Sequence, residues 1–378
     1  MWVYIIIFIF FLLLYICRQR NLSKTSFIII FMLLSLFVGI SDMLGGYDRY
    51  IYGELFDSTA DLIRYENGDI KTSPLYNLYF NEIGYVISNV TISHITANRY
   101  IFILILTLIT YFLISRSIIR YCCNYQLATV LFLGLIFFFT FTYLRQMLSF
   151  SIGWMAIRYI YDRKLWKFLL FVFIAFLFHN SAIILLPLYF IPIRKYNVTI
   201  IIIIGIISLS VGLSNIIGAS YDAYGDLMND RRGGYSFDQS GFRIEYLFEA
   251  TIFLILLLPF HKYIPNTRKY IVLYNVGIYF SIILLVFVKS INGGRMAWFA
   301  AIGLISTLTY LCQRLNKMPN YRITVLTICL FLYLRILFAW GILLSPYKTF
   351  FTNGHRDSDF IYEIFEYDHN YDIDKFYR

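Results

Sequence analysis

Long apolar stretches separated by short polar breaks run from Trp2 to about residue 343. We distinguish about twelve, with approximate bounds 2–17, 26–44, 99–115, 126–143, 146–161, 165–178, 181–193, 198–217, 244–260, 270–288, 296–312 and 323–343. Such runs predict membrane helices, because a helix needs about 20 apolar residues to cross the hydrocarbon core of a bilayer. The pattern predicts an all-α fold, a polytopic integral membrane helical bundle of about twelve membrane segments.

The composition excludes a soluble domain and argues against a nucleic-acid partner. Of the 378 residues, 60% are hydrophobic and only 14% are charged, against about 25% charged in soluble domains. The net charge is +10, but the basic residues sit in short loops between apolar segments, where they set orientation. The five cysteines lie in or beside apolar segments, so neither a disulfide framework nor a zinc site is expected.

Lys and Arg recur in the loops that follow every odd-numbered segment. They are Arg18, Arg20 and Lys24; Arg116 and Arg120; Arg163, Lys164 and Lys167; Arg194 and Lys195; Lys262, Arg268 and Lys269; and Arg314, Lys317 and Arg322. The positive-inside rule places these loops in the cytoplasm and both termini outside. This alternation requires that 75–92 forms an amphipathic or re-entrant outer-face helix, and that 165–193 is a hairpin turning at His179 and Asn180.

The outer face then carries the soluble parts of the chain. Residues 1–344 are expected to form a single transmembrane domain with outer-face loops at 45–98 and 218–243. Residues 345–378 are an acidic, Tyr-rich tail on the same face, too short for a core of its own.

Four residues that border or interrupt apolar segments fall on the predicted outer face: Arg145, His179, Arg243 and Arg295. A charge at bilayer depth costs at least about 2.5–3.5 kcal/mol on insertion scales. An anionic ligand or an acidic partner would offset that cost. Because the apolar segments contain few acids, we expect a ligand, a lipid-linked diphosphate.

Local sequence supports an anion site at two of these residues. Arg145 and Gln146 open a predicted helix, whose positive N-terminal end also attracts phosphate. Asn292, Gly293 and Gly294 precede Arg295, and the glycines would let the backbone approach a ligand closely. The alternatives are a snorkelling Arg145 at the interface and an ordinary turn before Arg295.

His179 and Arg243 each have a structural alternative too. His179 lies in the predicted hairpin turn, where it would act as general base on an acceptor hydroxyl or donate to a phosphate oxygen. A histidine hydrogen-bonded for packing is the alternative. Arg243 is a third candidate phosphate ligand, or a partner of Glu245 or Glu249.

The first outer loop contains Asp48, Arg49 and Tyr50 among further tyrosines, a composition typical of glycan sites. An interfacial aromatic belt is the alternative explanation. Two Asp-x-Asp triplets in the tail, at Asp357 and Asp372, match a short metal-binding pattern that arises readily by chance in acidic tails. No metal site is expected.

The order of Asp48-Arg49-Tyr50, Leu144-Arg145-Gln146, Phe178-His179-Asn180-Ser181-Ala182 and Arg295 resembles the EpsG/Wzy-like family of bacterial polysaccharide polymerases. The resemblance implies a GT-C-like, metal-independent membrane glycosyltransferase that needs no cofactor. The catalytic residues would be His179, Arg145 and Arg295. The substrate-binding residues would be Arg243, Asp48, Arg49, Tyr50, Gln146 and Asn180.

The same resemblance implies the substrates and the location. An acceptor hydroxyl at the non-reducing end of a lipid-linked repeat unit would attack a glycan on undecaprenyl diphosphate, at the periplasmic face of the bacterial inner membrane. Expected partners are undecaprenyl-diphosphate-linked glycan, membrane lipid and a chain-length regulator protein. A lipid-linked oligosaccharide flippase or transporter, or an O-antigen ligase, remains the alternative.

Overall fold

The computed structural model describes residues 1–17, 21–228, 241–290 and 293–378, and within them the protein is all-helical. No described residue lies in a β-strand, and an isolated antiparallel bridge joins Ser41 to Thr349. The predicted all-α class is confirmed.

The first half of the chain forms the helices that carry most of the predicted site. They are α1 (Trp2–Cys17), α2 (Lys24–Gly39), α3 (Tyr47–Asp61), α4 (Pro74–Tyr79), α5 (Ile83–Ser93), α6 (Arg99–Tyr121), α7 (Tyr125–Leu135), α8 (Leu144–Tyr161), α9 (Leu165–Phe178) and α10 (Leu186–Phe190). Short 3-10 turns at Phe137–Phe141 and Asn180–Leu185 join α7 to α8 and α9 to α10.

The second half continues the bundle and ends in the tail. Its helices are α11 (Val198–Leu213), α12 (Ile216–Met228), α13 (Ile244–Leu257), α14 (Arg268–Val286), α15 (Gly293–Ala297), α16 (Ala301–Arg314), α17 (Pro319–Ala339), α18 (Gly341–Leu344), α19 (Tyr362–Phe365) and α20 (Asn370–Ile373). Within the predicted loop 218–243, α12 continues to Met228, and residues 229–240 lie outside the described part of the chain.

Five described helical stretches are long and apolar enough to cross a membrane. They are Arg99–Tyr121, Ile244–Tyr263, Arg268–Val286, Gly293–Arg314 and Pro319–Ala339. The other apolar segments form shorter helices, such as α1, α2 and α11. The chain is therefore an integral membrane protein, and the number of about twelve crossings stays a prediction.

Small residues set the closest helix contacts inside the bundle. A Cβ atom on Gly303 would lie 2.7 Å from the backbone nitrogen of Gly277, so α16 and α14 touch backbone to backbone. A Cβ atom on Gly134 would lie 2.8 Å from the carbonyl of Cys329 and would separate α7 from α17. Such contacts are typical of membrane helices, which associate by packing and polar bonds without a hydrophobic driving force.

The region from α9 to α10 is the hairpin that the sequence predicts. α9 ends at Phe178, just before His179, and the chain returns so that Tyr189 lies beside Phe168, with 5.2 Å between ring centroids. Near the open end of the hairpin, the guanidinium of Arg163 donates to the carbonyl of Tyr189 at 3.1 Å. His179 therefore occupies the closed tip.

The stretch 75–92 forms two short helices, α4 and α5, separated by a break at residues 80–82. α5 has 11 residues, about 16 Å of helix, which is too short to span a bilayer. A Cβ atom on Gly84 would lie 3.0 Å from Leu177, so the start of α5 packs against the last turn of α9. This contact brings Glu82 to the tip of the hairpin.

Candidate functional site

Three helix ends meet at one end of the bundle: the starts of α8 and α15 and the tip of the α9–α10 hairpin. The side-chain amide of Gln146 connects them, because Nε2 donates to Ser181 Oγ and to the carbonyl of Arg295, each at 3.2 Å. The structure thus brings together segments that lie far apart in sequence and that carry Arg145, His179 and Arg295.

Arg145 already has an acidic partner. Its guanidinium forms a salt bridge with Glu82, and the two side chains are only 12% and 1% exposed. The ring of Tyr79 lies 3.9 Å from the guanidinium carbon, and Tyr52 Oη accepts from Nε at 3.4 Å. The expectation that Arg145 requires a ligand for lack of nearby acids is therefore wrong. Glu82, 63 residues earlier in the chain, compensates its charge.

His179 closes the hairpin tip through its own ring. Nδ1 accepts from the backbone N–H of Ser181 at 3.2 Å and lies 2.6 Å from Ser181 Oγ. Since a neutral imidazole has one accepting nitrogen, this contact assigns the proton to Nε2. An Nε2–H group donates a hydrogen bond and does not accept a proton. The geometry therefore favours the donor role over the general-base role.

Asn180 is buried at the tip with an unsatisfied side chain. Its backbone N–H donates to Glu82 Oε1 at 3.2 Å. Its amide Oδ1 and Nδ2 are both buried and have no hydrogen-bond partner in the protein. An unpaired buried polar group costs about 1–3 kcal/mol. A polar ligand at the tip would recover that cost.

Arg295 differs from Arg145 in forming no salt bridge among the described residues. Its guanidinium carbon lies 3.8 Å from the ring centroid of Tyr143. No carboxylate of residues 1–17, 21–228, 241–290 or 293–378 is within salt-bridge distance of it. Cation–π contact leaves the guanidinium N–H groups able to bind an anion. Arg295 is thus the best-placed cation for an anionic ligand.

The glycines before Arg295 serve packing at one position. A Cβ atom on Gly293 would come within 2.8 Å of both Phe287 and Tyr246. Gly293 is therefore needed so that α15 can pack against its neighbours, and the predicted ligand approach is not required to explain it. Asn292 lies outside the described residues.

The carboxylate of Asp48 interacts electrostatically with the guanidinium groups of Arg295 and Arg145. Burial raises the pKa of its carboxyl, and the two guanidinium groups lower it only in part. Asp48 is in the first turn of α3, outside the membrane-spanning helices. A carboxyl whose pKa is raised by burial holds a proton more tightly than an exposed one, so Asp48 is a candidate proton acceptor.

A cavity of about 570 Å³ adjoins Arg295. Aromatic side chains form one wall, with Trp298 4.6 Å from Phe139 and 5.7 Å from Tyr143 between ring centroids. The cavity is also lined by the polar residues Arg243, Glu245, Tyr246, Glu249 and Arg335. Aromatic and charged groups together suit a ligand that carries both phosphate and sugar.

Arg243 lines this cavity and forms an ion pair there. Its Nη1 lies 3.2 Å from Glu245 Oε1, which agrees with the structural alternative for this residue. Both side chains are partly exposed, so the pair is weak and open to exchange. Deeper in the cavity Arg335 forms a salt bridge with Glu249.

Arg49 and Tyr50 point into the protein, away from the cavity. The guanidinium of buried Arg49 donates to the carbonyls of Phe141, Val38, Gly39 and Ser41, at 3.1 to 3.4 Å. The hydroxyl of Tyr50 donates to Asp359 in the tail at 2.7 Å. Through these contacts both residues join α3 to neighbouring parts of the protein.

Sequence reasoning missed the roles of Glu82, Tyr143 and the pair Arg335–Glu249. Arg335 and Glu249 carried a usable signal, since a charge inside an apolar span marks a functional candidate. Glu82 is the sole acid between residues 70 and 97. Tyr143 offered no signal among 34 tyrosines. Among the described residues, no group of three His, Cys, Asp or Glu is arranged to hold a metal ion.

Comparison with known proteins identifies one family. A family model described as "EpsG family" matches residues 24–349. No curated protein and no solved structure matches the chain. The match covers every helix end that builds the site and confirms the family expected from the sequence.

Proposed function

The chain belongs to the EpsG family, and from this membership and the site geometry we propose that it is a polysaccharide polymerase acting on lipid-linked glycans. Membership indicates a membrane protein with polymerase-type glycosyltransferase activity. The proposed donor is a glycan on undecaprenyl diphosphate. The proposed acceptor is the non-reducing end of a lipid-linked repeat unit, at the periplasmic face of the bacterial inner membrane.

The observation that carries the proposal is the state of Arg295. Its guanidinium rests on the ring of Tyr143 and faces the cavity without a carboxylate partner in the described part of the chain. A guanidinium can bind two phosphate oxygens in parallel, and it remains charged at every physiological pH. Arg295 therefore suits a departing diphosphate. Arg243 would leave its weak ion pair with Glu245 and bind the same diphosphate.

The reaction follows from these positions. The acceptor hydroxyl oxygen forms a bond to the anomeric carbon of the donor glycan, while the bond from that carbon to the diphosphate oxygen breaks. Both bonding electrons leave with the diphosphate, whose charge Arg295 stabilises. The hydroxyl proton passes to the Asp48 carboxylate. His179 donates from Nε2 to a phosphate oxygen, and the buried amide of Asn180 hydrogen-bonds the substrate.

The remaining predicted site residues act on the protein's own structure in this proposal. Arg145 and Glu82 form a buried pair that fixes the hairpin tip, because Glu82 also accepts from the backbone of Asn180. Gln146 sets the distance between Ser181 and Arg295. Arg49 and Tyr50 hold the outer loop.

In vitro polymerisation tests the proposal. Purified protein in lipid nanodiscs is given a lipid-linked repeat unit, and the products are separated on a gel. We expect a ladder of polymers from the wild type and a loss of at least about 100-fold in rate for Arg295→Ala, the scale of losing one preorganised donor to a developing anion.

Arg314→Ala is the matched control, since Arg314 is exposed at the far end of the same helical stretch. It should leave the ladder unchanged. Release of single repeat units onto a different acceptor would indicate a ligase. Movement of unpolymerised substrate across the bilayer would indicate a transporter. Either result would replace the polymerase assignment.

A further inference from the structure

An apolar groove runs between α13 and α17 on the side of the bundle. It has a volume of about 240 Å³ and almost no polar surface. Its lining residues are Glu249, Ile252, Phe253, Thr327, Ile328, Phe331 and Leu332. Both helices are among the five stretches that are long and apolar enough to cross a membrane.

The groove adjoins the cavity beside Arg295. Glu249 and Leu332 line both spaces. At the junction, Glu249 forms its salt bridge with Arg335 on the opposite helix. An ion pair at membrane depth is costly unless it faces a polar cavity, and here the polar cavity is on one side of the pair and the apolar groove on the other.

The groove opens sideways towards lipid. α13 is the least buried of the five membrane-spanning stretches, and α17 is the next. Phe331, which lines the groove, is 61% exposed. Below the groove the two helices are joined, because Tyr321 donates to the carbonyl of Leu256 at 2.9 Å and its ring lies 4.6 Å from Phe260. The space between α13 and α17 is therefore closed at that end and open laterally.

We propose that this groove holds the isoprene units nearest the phosphate of the donor lipid, so that a polyprenyl diphosphate enters from the membrane between α13 and α17. The inference rests on the proposed function and adds the path and the binding residues of the lipid chain. A polyprenyl diphosphate has a dianionic or more highly charged head directly joined to an apolar chain. The cavity with Arg295, Arg243 and Arg335 matches that head, and the adjoining groove matches that chain.

The test uses two substitutions of one kind on one helix. Ile252→Trp fills the groove, since Ile252 lines it. Ile255→Trp adds the same bulk three residues further along α13, where the side chain is 62% exposed to the lipid side. The probe is undecaprenyl diphosphate with a photoactivatable group on its first isoprene unit, added to full-length protein in nanodiscs. Crosslinked peptides are identified by mass spectrometry.

We expect crosslinks on α13 and α17 around residues 252–253 and 327–331. Ile252→Trp should reduce their yield at least about tenfold, and Ile255→Trp should leave it unchanged. Unlabelled undecaprenyl diphosphate should compete, and added phosphatidylglycerol should not. Binding of inorganic diphosphate, measured by calorimetry, should be equal in the two variants, which shows that the cavity of Ile252→Trp is intact.

Four results would overturn the inference. Crosslinks elsewhere, with polymerisation intact, would reject the groove and keep the proposed function. Equal labelling of the two variants would do the same. Competition by phosphatidylglycerol would make the groove a site for ordinary lipid. Absence of both lipid labelling and polymerisation would instead remove the proposed function together with the groove.

Discussion

The arginines at the site differ in what they already bind. Arg145 holds a buried carboxylate and Arg243 holds a partly exposed one. Arg295 rests on the ring of Tyr143 and forms no salt bridge within the described part of the chain. An anion gains most from a cation whose donors are not engaged by carboxylate. Substitutions at these positions should therefore separate structural from chemical roles.

Arg295→Lys should retain the positive charge and lose most of the activity. A lysine ammonium cannot form the two parallel bonds of a guanidinium, and it stacks less well on Tyr143. We expect the polymerisation rate to fall at least about tenfold while the thermal melting temperature stays within a few degrees. Arg314→Lys is the control. Full polymer length and rate in Arg295→Lys would contradict a bidentate role.

Asp48→Asn and His179→Gln should give different pH profiles. Because burial raises the pKa of Asp48, wild-type activity should fall with decreasing pH at a higher pH than for an ordinary carboxyl, as the base becomes protonated. Asp48→Asn should lower the rate at least about 100-fold and remove this dependence. His179→Gln should keep the acidic fall, since glutamine still donates a hydrogen bond.

The measurement for this pair is the initial polymerisation rate between pH 5 and pH 9 with saturating substrate. Disappearance of the acidic fall in His179→Gln, together with its persistence in Asp48→Asn, would make His179 the base.

At the scale of elements, the break between α4 and α5 and the tip of the α9–α10 hairpin depend on each other. Glu82 pairs with Arg145 at the start of α8 and accepts from the backbone of Asn180. Three chain segments therefore share one buried carboxylate. The site keeps its shape only while this carboxylate retains its contacts with Arg145 and with the backbone of Asn180.

Arg145→Ala should destabilise the protein by about 3–5 kcal/mol, because it leaves Glu82 buried without its cation. The double variant with Glu82→Gln should recover part of this loss. Arg158→Ala on the same helix should destabilise the protein far less, since its pair with Asp162 is partly exposed to solvent. Thermal unfolding in detergent measures all three. A stable, inactive Arg145→Ala protein would restore the original prediction of a phosphate ligand.

The turn of the α9–α10 hairpin and the tautomer of its histidine have different physical origins. Two apolar arms around His179 and Asn180 are visible in sequence, and a turn there is the natural consequence. The tautomer of His179 is different, because it depends on which atom of the returning chain meets Nδ1. The local sequence pattern therefore predicts the turn, and the backbone geometry of the folded protein decides which ring nitrogen of His179 carries the proton.

At the scale of the whole molecule, buried ion pairs attach the tail to Asp42 and Arg99. Asp42 is contacted by Lys348 at 2.7 Å and by Lys375 at 3.0 Å. Arg99 pairs with Glu366 at 2.5 Å and lies 3.8 Å from the ring of Tyr371. The tail is therefore part of the same body as the bundle, although it has no core of its own.

Acid or Asp42→Asn should release the tail. Burial alone would raise the pKa of Asp42, but Lys375 and Lys348 outweigh it and hold the pKa below its ordinary value. The stabilisation is therefore complete above that value and is lost as pH falls through the lower folded-state pKa. Limited proteolysis at neutral pH should cleave the tail faster in Asp42→Asn. The exposed Glu363→Gln is the control, and equal cleavage of both would contradict this role.

Sidedness is a property of the whole chain, and labelling in intact cells measures it. In a protein without its native cysteines, Glu66→Cys should react with an impermeant thiol reagent and Lys317→Cys should not, because basic loops remain inside. Both positions are exposed. Labelling at 317 alone would invert the orientation and place the cavity in the cytoplasm.

The sequence by itself determined the helical class, the membrane character of the chain, the turn at His179 and the family. Each depends on local periodicity, on composition or on short motifs, which are present in the chain before it folds. Only the tertiary structure decided that Arg145 is paired, that Arg49 is internal, and that Arg295 lines a cavity beside an apolar groove. Arg145 and Glu82 are 63 residues apart, and no local pattern states which distant side chains packing will bring into contact.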